Sequence, residues 1–278
     1  MLACAGTPAE QKIVTVSIEP QKYMLEQITG DRIQVRCLLS DGANPETYDP
    51  SMTHMLNLQK SEAYLRMGNI GFEAALIDKI HDSHPDLKIF NTSLGIAPLT
   101  GTHGHAGHTP HEGPEAVDPH TWTSVKNARV IASNMLEAMT VIDPANKDYY
   151  RRNYERFAAH LDSLDRAIAA RLAPMAGKAF MVWHPSMSYF ARDYGLEQVV
   201  IGGHESKESS IGGMKSAIDH ARELDARVFF AQPDMDSRQV SAINSEIGAQ
   251  EVSVNPLSYH WEEEILKMAD ALAGSQTE

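Results

Sequence analysis

Cysteine is almost missing from this chain: Cys4 and Cys37 are the only two among 278 residues. So sparse a supply excludes a disulfide framework, and Cys37 sits in the apolar run "IQVRCLL", where a thiol serves as a small hydrophobe. No apolar run approaches the ~18 residues of a membrane span. Positive charge is short as well, with 24 Lys and Arg against 37 Asp and Glu, for a formal net charge of -13. That balance argues against a nucleic-acid backbone or an anionic membrane surface as partner and suits cationic cargo. Also lacking are H-E-x-x-H, G-x-S-x-G and the Walker and dinucleotide glycine motifs, which removes motif support for the common hydrolases and nucleotide enzymes. By eye, no internal repeat of about 20–50 residues is present.

What is there is enough apolar material for a substantial core, 42% of residues, and at ~150 residues per domain the length suggests two domains. Short β-branched runs alternate with longer helical patterns, which predicts an α/β fold: two similar lobes of parallel sheet flanked by helices. The strands of the first half are "IVTVSI", "IQVRCLL", "AYLRMG" and "LKIFN". Those of the second are "AFMVWH", "LEQVVIG", "ARVFFAQ" and "EVSVN". Between the halves, Asp143-Pro144 reads as an N-cap with proline at the first helical position. From there Tyr150, Tyr154, Phe157, Leu161, Leu164, Ile168 and Leu172 recur at steps of three and four, the spacing of one apolar helix face. The expected organisation is an N-terminal lobe over 1–142, a long connecting helix over 143–174 and a C-terminal lobe over 175–278.

The one biased segment is "THGHAGHTPHEGPEAVDPHTW", residues 102–122, with five histidines among glycines and prolines. Neutral imidazole is the commonest protein metal ligand, and histidines two or three apart on a pliable backbone can wrap a borderline-soft cation. Other donors stand where open parallel sheets bind ligands, beyond the carboxyl ends of strands. Glu46 lies in the loop "SDGANPETYDP", His184 ends one strand run, Gln232 another and Asn255 a third, while His120 precedes a helical pattern beginning near Ser124. Donors from both halves thus point to a metal in a cleft between them.

Several segments in order resemble the zinc and manganese solute-binding proteins of bacterial ABC transporters: "IVTVSIEPQKYMLEQITGDRIQV", "GANPETYDPS", "DPHTW", "DPANKDYYRRNYERFAAHLDSLD", "WHPSMSYFARDYGL", "VFFAQP" and "VNPL". The resemblance implies two α/β lobes joined by one long helix, with a single metal held between them for delivery to a membrane permease. It places His120 and His184 on ligand positions. Glu46 stands where the family usually has histidine, Asn255 where it has aspartate, and Gln232 where glutamate is common near the cleft.

Two imidazoles and one carboxylate, from His120, His184 and Glu46, suit Zn2+ with a fourth position for the Asn255 amide or a water, and would also accept Mn2+ or Fe2+. His204 and Gln232 are further candidates. Asp118 either orients the His120 imidazole or caps the following helix. His103, His105, His108 and His111, within about 102–113, are expected to bind metal weakly, and His54, His81, His84, His160, His220 and His260 to be surface or packing residues. The expected function is high-affinity binding of zinc outside the cytoplasm and delivery to an ABC-transporter permease by a monomer that is not an enzyme and binds no nucleic acid. Alternatives are a manganese or iron binder of the same family, a metal-binding adhesin, or a zinc hydrolase. Met1-Leu-Ala-Cys4 resembles the end of a lipoprotein signal, and equally a chance cysteine; the first reading predicts a periplasmic or cell-surface protein anchored through Cys4.

Overall fold

The short apolar runs form two four-stranded sheets, all parallel, in a computed structural model that describes residues 11–39, 43–45, 48–100, 117–202, 211–233 and 237–275. The first lobe runs β1 (Lys12–Val16), α1 (Glu19–Thr29), β2 (Ile33–Cys37), α2 (Met52–Leu58), β3 (Ala63–Arg66), α3 (Gly71–Ser83) and β4 (Lys88–Asn91). Its strand order is β2-β1-β3-β4. After it come α4 (Val125–Ile142) and α5 (Lys147–Leu172). The second lobe runs β5 (Ala179–Val182), α6 (Ser188–Tyr194), β6 (Glu197–Val200), α7 (Ile211–Glu223), β7 (Val228–Ala231), α8 (Ser237–Ile247), β8 (Gln250–Ser253) and α9 (Trp261–Gly274). Its order, β6-β5-β7-β8, repeats that of the first. Each expected strand run overlaps one of these strands, so the two-lobed α/β architecture read from the sequence is the one observed.

α4 begins where the Ser124 hydroxyl accepts the Asn127 backbone N–H, satisfying one of the four amides a helix start leaves open. Its buried face, from Val125 through Ile131 and Met135 to Ile142, packs on α5. At the start of the connector Asp143 is the N-cap residue and Pro144 the first helical one, as expected, but a 3-10 turn, Pro144–Asn146, leads in before α5 proper at Lys147, and the Asp143 side chain makes no cap bond. The Asp143 carboxylate instead accepts the Tyr150 hydroxyl at 2.6 Å and pairs with Lys12 Nζ at 3.2 Å, tying β1 to the base of the helix. The 26 residues of α5 span ~39 Å at 1.5 Å each. Six of the seven predicted apolar positions are buried, and Tyr154 is half-buried beneath Arg129, which donates to its hydroxyl at 2.6 Å.

The lobes share a core through the connector. One apolar cluster runs from Val14, Leu65 and Met24 through α4 and the α5 residues Phe157, Leu161 and Ile168 to Phe180, Val182, Phe230 and Trp261. The opposite face of the second sheet, Met181, Val199 and Phe229, packs with Ile218 and Ile243 in a second cluster. Alternate residues of β5 and β7 therefore serve different clusters, as strand geometry requires. At roughly 1.5–3 kcal/mol per buried large apolar side chain, the shared cluster is the main force holding the lobes to the connector.

Cys37 is a free, half-buried thiol that donates to the Leu39 carbonyl at 3.3 Å, and burial pushes its pKa up. His160 pairs with Glu262 at 2.9 Å and His220 with Glu197 at 3.2 Å, while His54 bonds the Tyr48 hydroxyl. These histidines have the surface and packing roles expected of them. Among the described residues, no helix is long and apolar enough to cross a membrane.

Candidate metal centre

His120 stands at the mouth of the cleft between lobes because of its neighbours. The Asp118 backbone N–H bonds the Leu99 carbonyl at 2.9 Å, and the 3-10 turn Thr121–Thr123 turns the chain into α4. Asp118 Oδ1 then accepts twice from one residue, from the His120 backbone N–H at 2.9 Å and from ring Nδ1 at 2.8 Å. An ionised carboxylate only accepts, so Nδ1 carries the proton and Nε2 presents a lone pair. Burial works to raise the Asp118 pKa, but the hydrogen bonds from the His120 ring and backbone outweigh it, and the carboxyl is held below its usual range. Of the two roles the sequence left open for Asp118, orientation is the one found, since Ser124 supplies the cap.

His184 arrives from the other lobe, two residues past β5. Its backbone N–H donates to Gln232 Oε1 at 2.9 Å, and Gln232 Nε2 donates to Ser186 Oγ at 2.7 Å. Each end of the Gln232 amide thus bonds the His184-Pro185-Ser186 turn. The outcome is that His184 Nε2 lies 3.1 Å from His120 Nε2, with the rings 71° apart. Two nitrogens bound to one tetrahedral zinc, each ~2.05 Å away, would lie about 3.3 Å apart. The observed separation is near that value.

The third wall comes from the segment after β8. Asn255 donates its backbone N–H to Glu264 Oε2 at 3.0 Å and accepts the Leu257 backbone N–H on Oδ1 at 3.0 Å. Trp122 Nε1 donates to the Pro256 carbonyl at 2.8 Å, and Trp261 Nε1 to the Trp122 carbonyl at 2.7 Å. With Ala43, Asn44 and Pro45 on the rim, these residues enclose a cavity of about 70 Å³.

The structure therefore brings together His120, His184, Gln232, Asn255 and Asp118. Glu46, His204, Cys4 and the loop histidines His103, His105, His108 and His111 lie outside the described residues. Among the described residues, no group of three His, Cys, Asp or Glu side chains is placed to hold a metal; two imidazoles are. Reading the sequence missed Trp122, Ser186, Pro256 and Glu264 as supports. Only Trp122 carried a signal, its place two residues after His120 in "DPHTW".

The family described as "Zinc-uptake complex component A periplasmic" matches residues 14–273. The chain belongs to this family. It is 26% identical over 259 residues to the high-affinity zinc uptake system protein ZnuA of Bacillus subtilis (strain 168), covering 91% of this chain and 81% of that one. A crystal structure of ZnuA superposes with a TM-score of 0.85 at 32% identity, covering 95% of this chain and 99% of its own. A solute-binding protein from Pseudomonas aeruginosa, FpvC, solved with Mn2+, superposes with a TM-score of 0.80 at 25% identity, covering 96% and 98%. The resemblance read from the sequence is borne out, and one solved relative, FpvC, holds manganese.

Proposed function

We propose that this protein captures one divalent transition metal, zinc in the first instance, in the cleft between its lobes and hands it to an ABC-transporter permease outside the cytoplasm. The observation that carries this reading is the pair of Nε2 atoms 3.1 Å apart, one from each lobe, one of them aimed by Asp118. Metal ligands are typically oriented by such a carboxylate partner. Glu46 is proposed as the carboxylate donor, on the strength of Pro45 just before it and of the segment "NPETYDP", which resembles the family segment that carries a ligand. A carboxylate is a harder donor than imidazole, so the site is expected to tolerate manganese or iron better than three histidines would. His204 is a reserve donor. His103, His105, His108 and His111 would gather metal weakly, the chain would act as a monomer, and Cys4 would anchor it to a membrane if lipidated. The role is carriage, with no turnover.

The test is metal titration against a chromophoric chelator, with metal content measured directly. The parent should bind one zinc tightly, and His120→Ala and His184→Ala should each abolish that site. A double variant that titrates like the parent would show the cleft is not the site. In the same assay Glu46→His should tighten zinc relative to manganese and Glu46→Gln should weaken both.

A further inference from the structure

We infer that Asn255 faces the cleft with a hydrogen-bond donor rather than a metal ligand, and that this donor biases the site toward zinc over harder cations. This rests on the cleft being the metal site. It departs from the ligand role the sequence suggested for Asn255.

A backbone amide can only donate, so the Asn255 atom 3.0 Å from the Leu257 N–H must be the carbonyl oxygen. That fixes which way round the side-chain amide sits. The residue is pinned from the other side as well, its own backbone N–H bonding Glu264 Oε2 at 3.0 Å. Glu264 is held in turn by Lys267, 3.0 Å from Oε1 and 3.1 Å from Oε2. Nor can the segment readily turn over, because the next residue, Pro256, receives the Trp122 indole N–H on its carbonyl. With one of that oxygen's two lone pairs taken by Leu257, the NH2 group is the end of Asn255 assigned to the cavity that the residue lines with His120 and His184. Two N–H dipoles bring positive charge toward a cation and offer it no lone pair. They suit a water or anionic group that itself sits on the metal.

The consequence is selectivity. Zinc is content with nitrogen donors and low coordination number, while manganese draws its affinity from carboxylate, carbonyl and water oxygens. A site whose third wall supplies donors penalises manganese more. Asn255→Asp is nearly isosteric: one carboxylate oxygen can keep the Leu257 bond while the other replaces the NH2, adding a negative charge and a hard ligand together.

The parent, Asn255→Asp and Asn255→Ala are titrated separately with zinc and with manganese. Asn255→Asp should gain manganese affinity by roughly tenfold or more and zinc affinity by a smaller factor. Asn255→Ala should keep zinc within about threefold of the parent, having lost no ligand. Unchanged manganese affinity in Asn255→Asp would overturn the inference, and that variant decides alone if Asn255→Ala melts early. A tenfold loss of zinc in an Asn255→Ala protein whose metal-free melting temperature matches the parent would also overturn it, by showing the amide ligates. A parent that binds no zinc would instead sink the cleft as the metal site.

Discussion

The indole nitrogen of Trp122 donates to the carbonyl of Pro256 across the cleft at 2.8 Å. One residue belongs to the turn that carries His120, the other to the segment that carries Asn255, so the bond couples the cleft-facing walls of the two lobes. Trp261 reinforces it by donating to the Trp122 carbonyl at 2.7 Å.

Replacing Trp122 with phenylalanine keeps an aromatic ring in this fully buried place, deletes one donor and leaves a void where the larger ring stood. An acceptor left unsatisfied in a partly buried place costs about 1–3 kcal/mol. For a protein of this size that is a fall in melting temperature of roughly 2–4 °C per kcal/mol. Zinc should bind several-fold more weakly, since the Asn255–Leu257 wall is no longer fixed against His120. Calorimetry of the metal-free protein and zinc titration check both effects, and unchanged values in both would show the bond carries no coupling.

A ligand that binds only the folded state stabilises it by mass action. With free zinc at about a hundred times the dissociation constant the gain is about 2.7 kcal/mol. Melting temperature should therefore climb with zinc concentration in the parent and fall back on chelation. Deleting residues 102–113 should remove weak secondary binding and leave this tight-site shift in place. Loss of the shift on deletion would mean that the loop histidines belong to the tight site.

The parts of this protein legible in its sequence are those fixed by short-range pattern. β-Branched runs such as "AFMVWH" became strands because alternate residues serve two different clusters, and the three-and-four spacing from Tyr150 to Leu172 became one buried helix face. His120 and His184 stood out because strand ends and a turn before a helix are recognisable places. What stayed hidden depends on partners far apart in the chain. Nothing near Gln232 says that its amide will bridge His184 and Ser186, 48 and 46 residues away. Asp143 matched the cap pattern, yet its carboxylate went to Tyr150 and Lys12, a choice made by β1 packing against the helix junction.

Asp143 gives a pH dependence whose sign can be worked out. Burial favours its neutral form, but bonds from Tyr150, Asn146 and Lys12 and the Lys12 charge outweigh this and hold the carboxyl below its ordinary value. A group whose folded pKa is depressed contributes stability above its unfolded value of about 3.9, and the contribution is lost as pH falls through the folded value. Asp143→Asn, which cannot pair with Lys12 as an anion, should be less stable than the parent at neutral pH by about 1–3 kcal/mol. The gap should narrow on acidification below the unfolded value. Urea unfolding at a series of pH values reads it directly, and a gap that stays constant would mean Asp143 contributes nothing through its charge.

The lobes should move little when metal enters. α5 has neither proline nor glycine between Lys147 and Leu172, and sharp helix kinks almost always need one of these or an inserted group. The connector is also fastened along its length: Asn153 donates to the Ile28 carbonyl at 2.9 Å, and His160 meets Glu262 of α9, whose carboxylate also accepts from Tyr23 of α1 at 3.0 Å. An apolar cluster continuous from the first sheet to the second would have to be sheared for a wide swing. Capture and release must then work through the loops at the rim and small tilts about the Trp122–Pro256 contact. X-ray scattering curves of the metal-free and zinc-loaded protein should nearly coincide, with the radius of gyration unchanged within error. A marked compaction on adding zinc would show that the shared core and the unbroken helix do not hold the lobes in place.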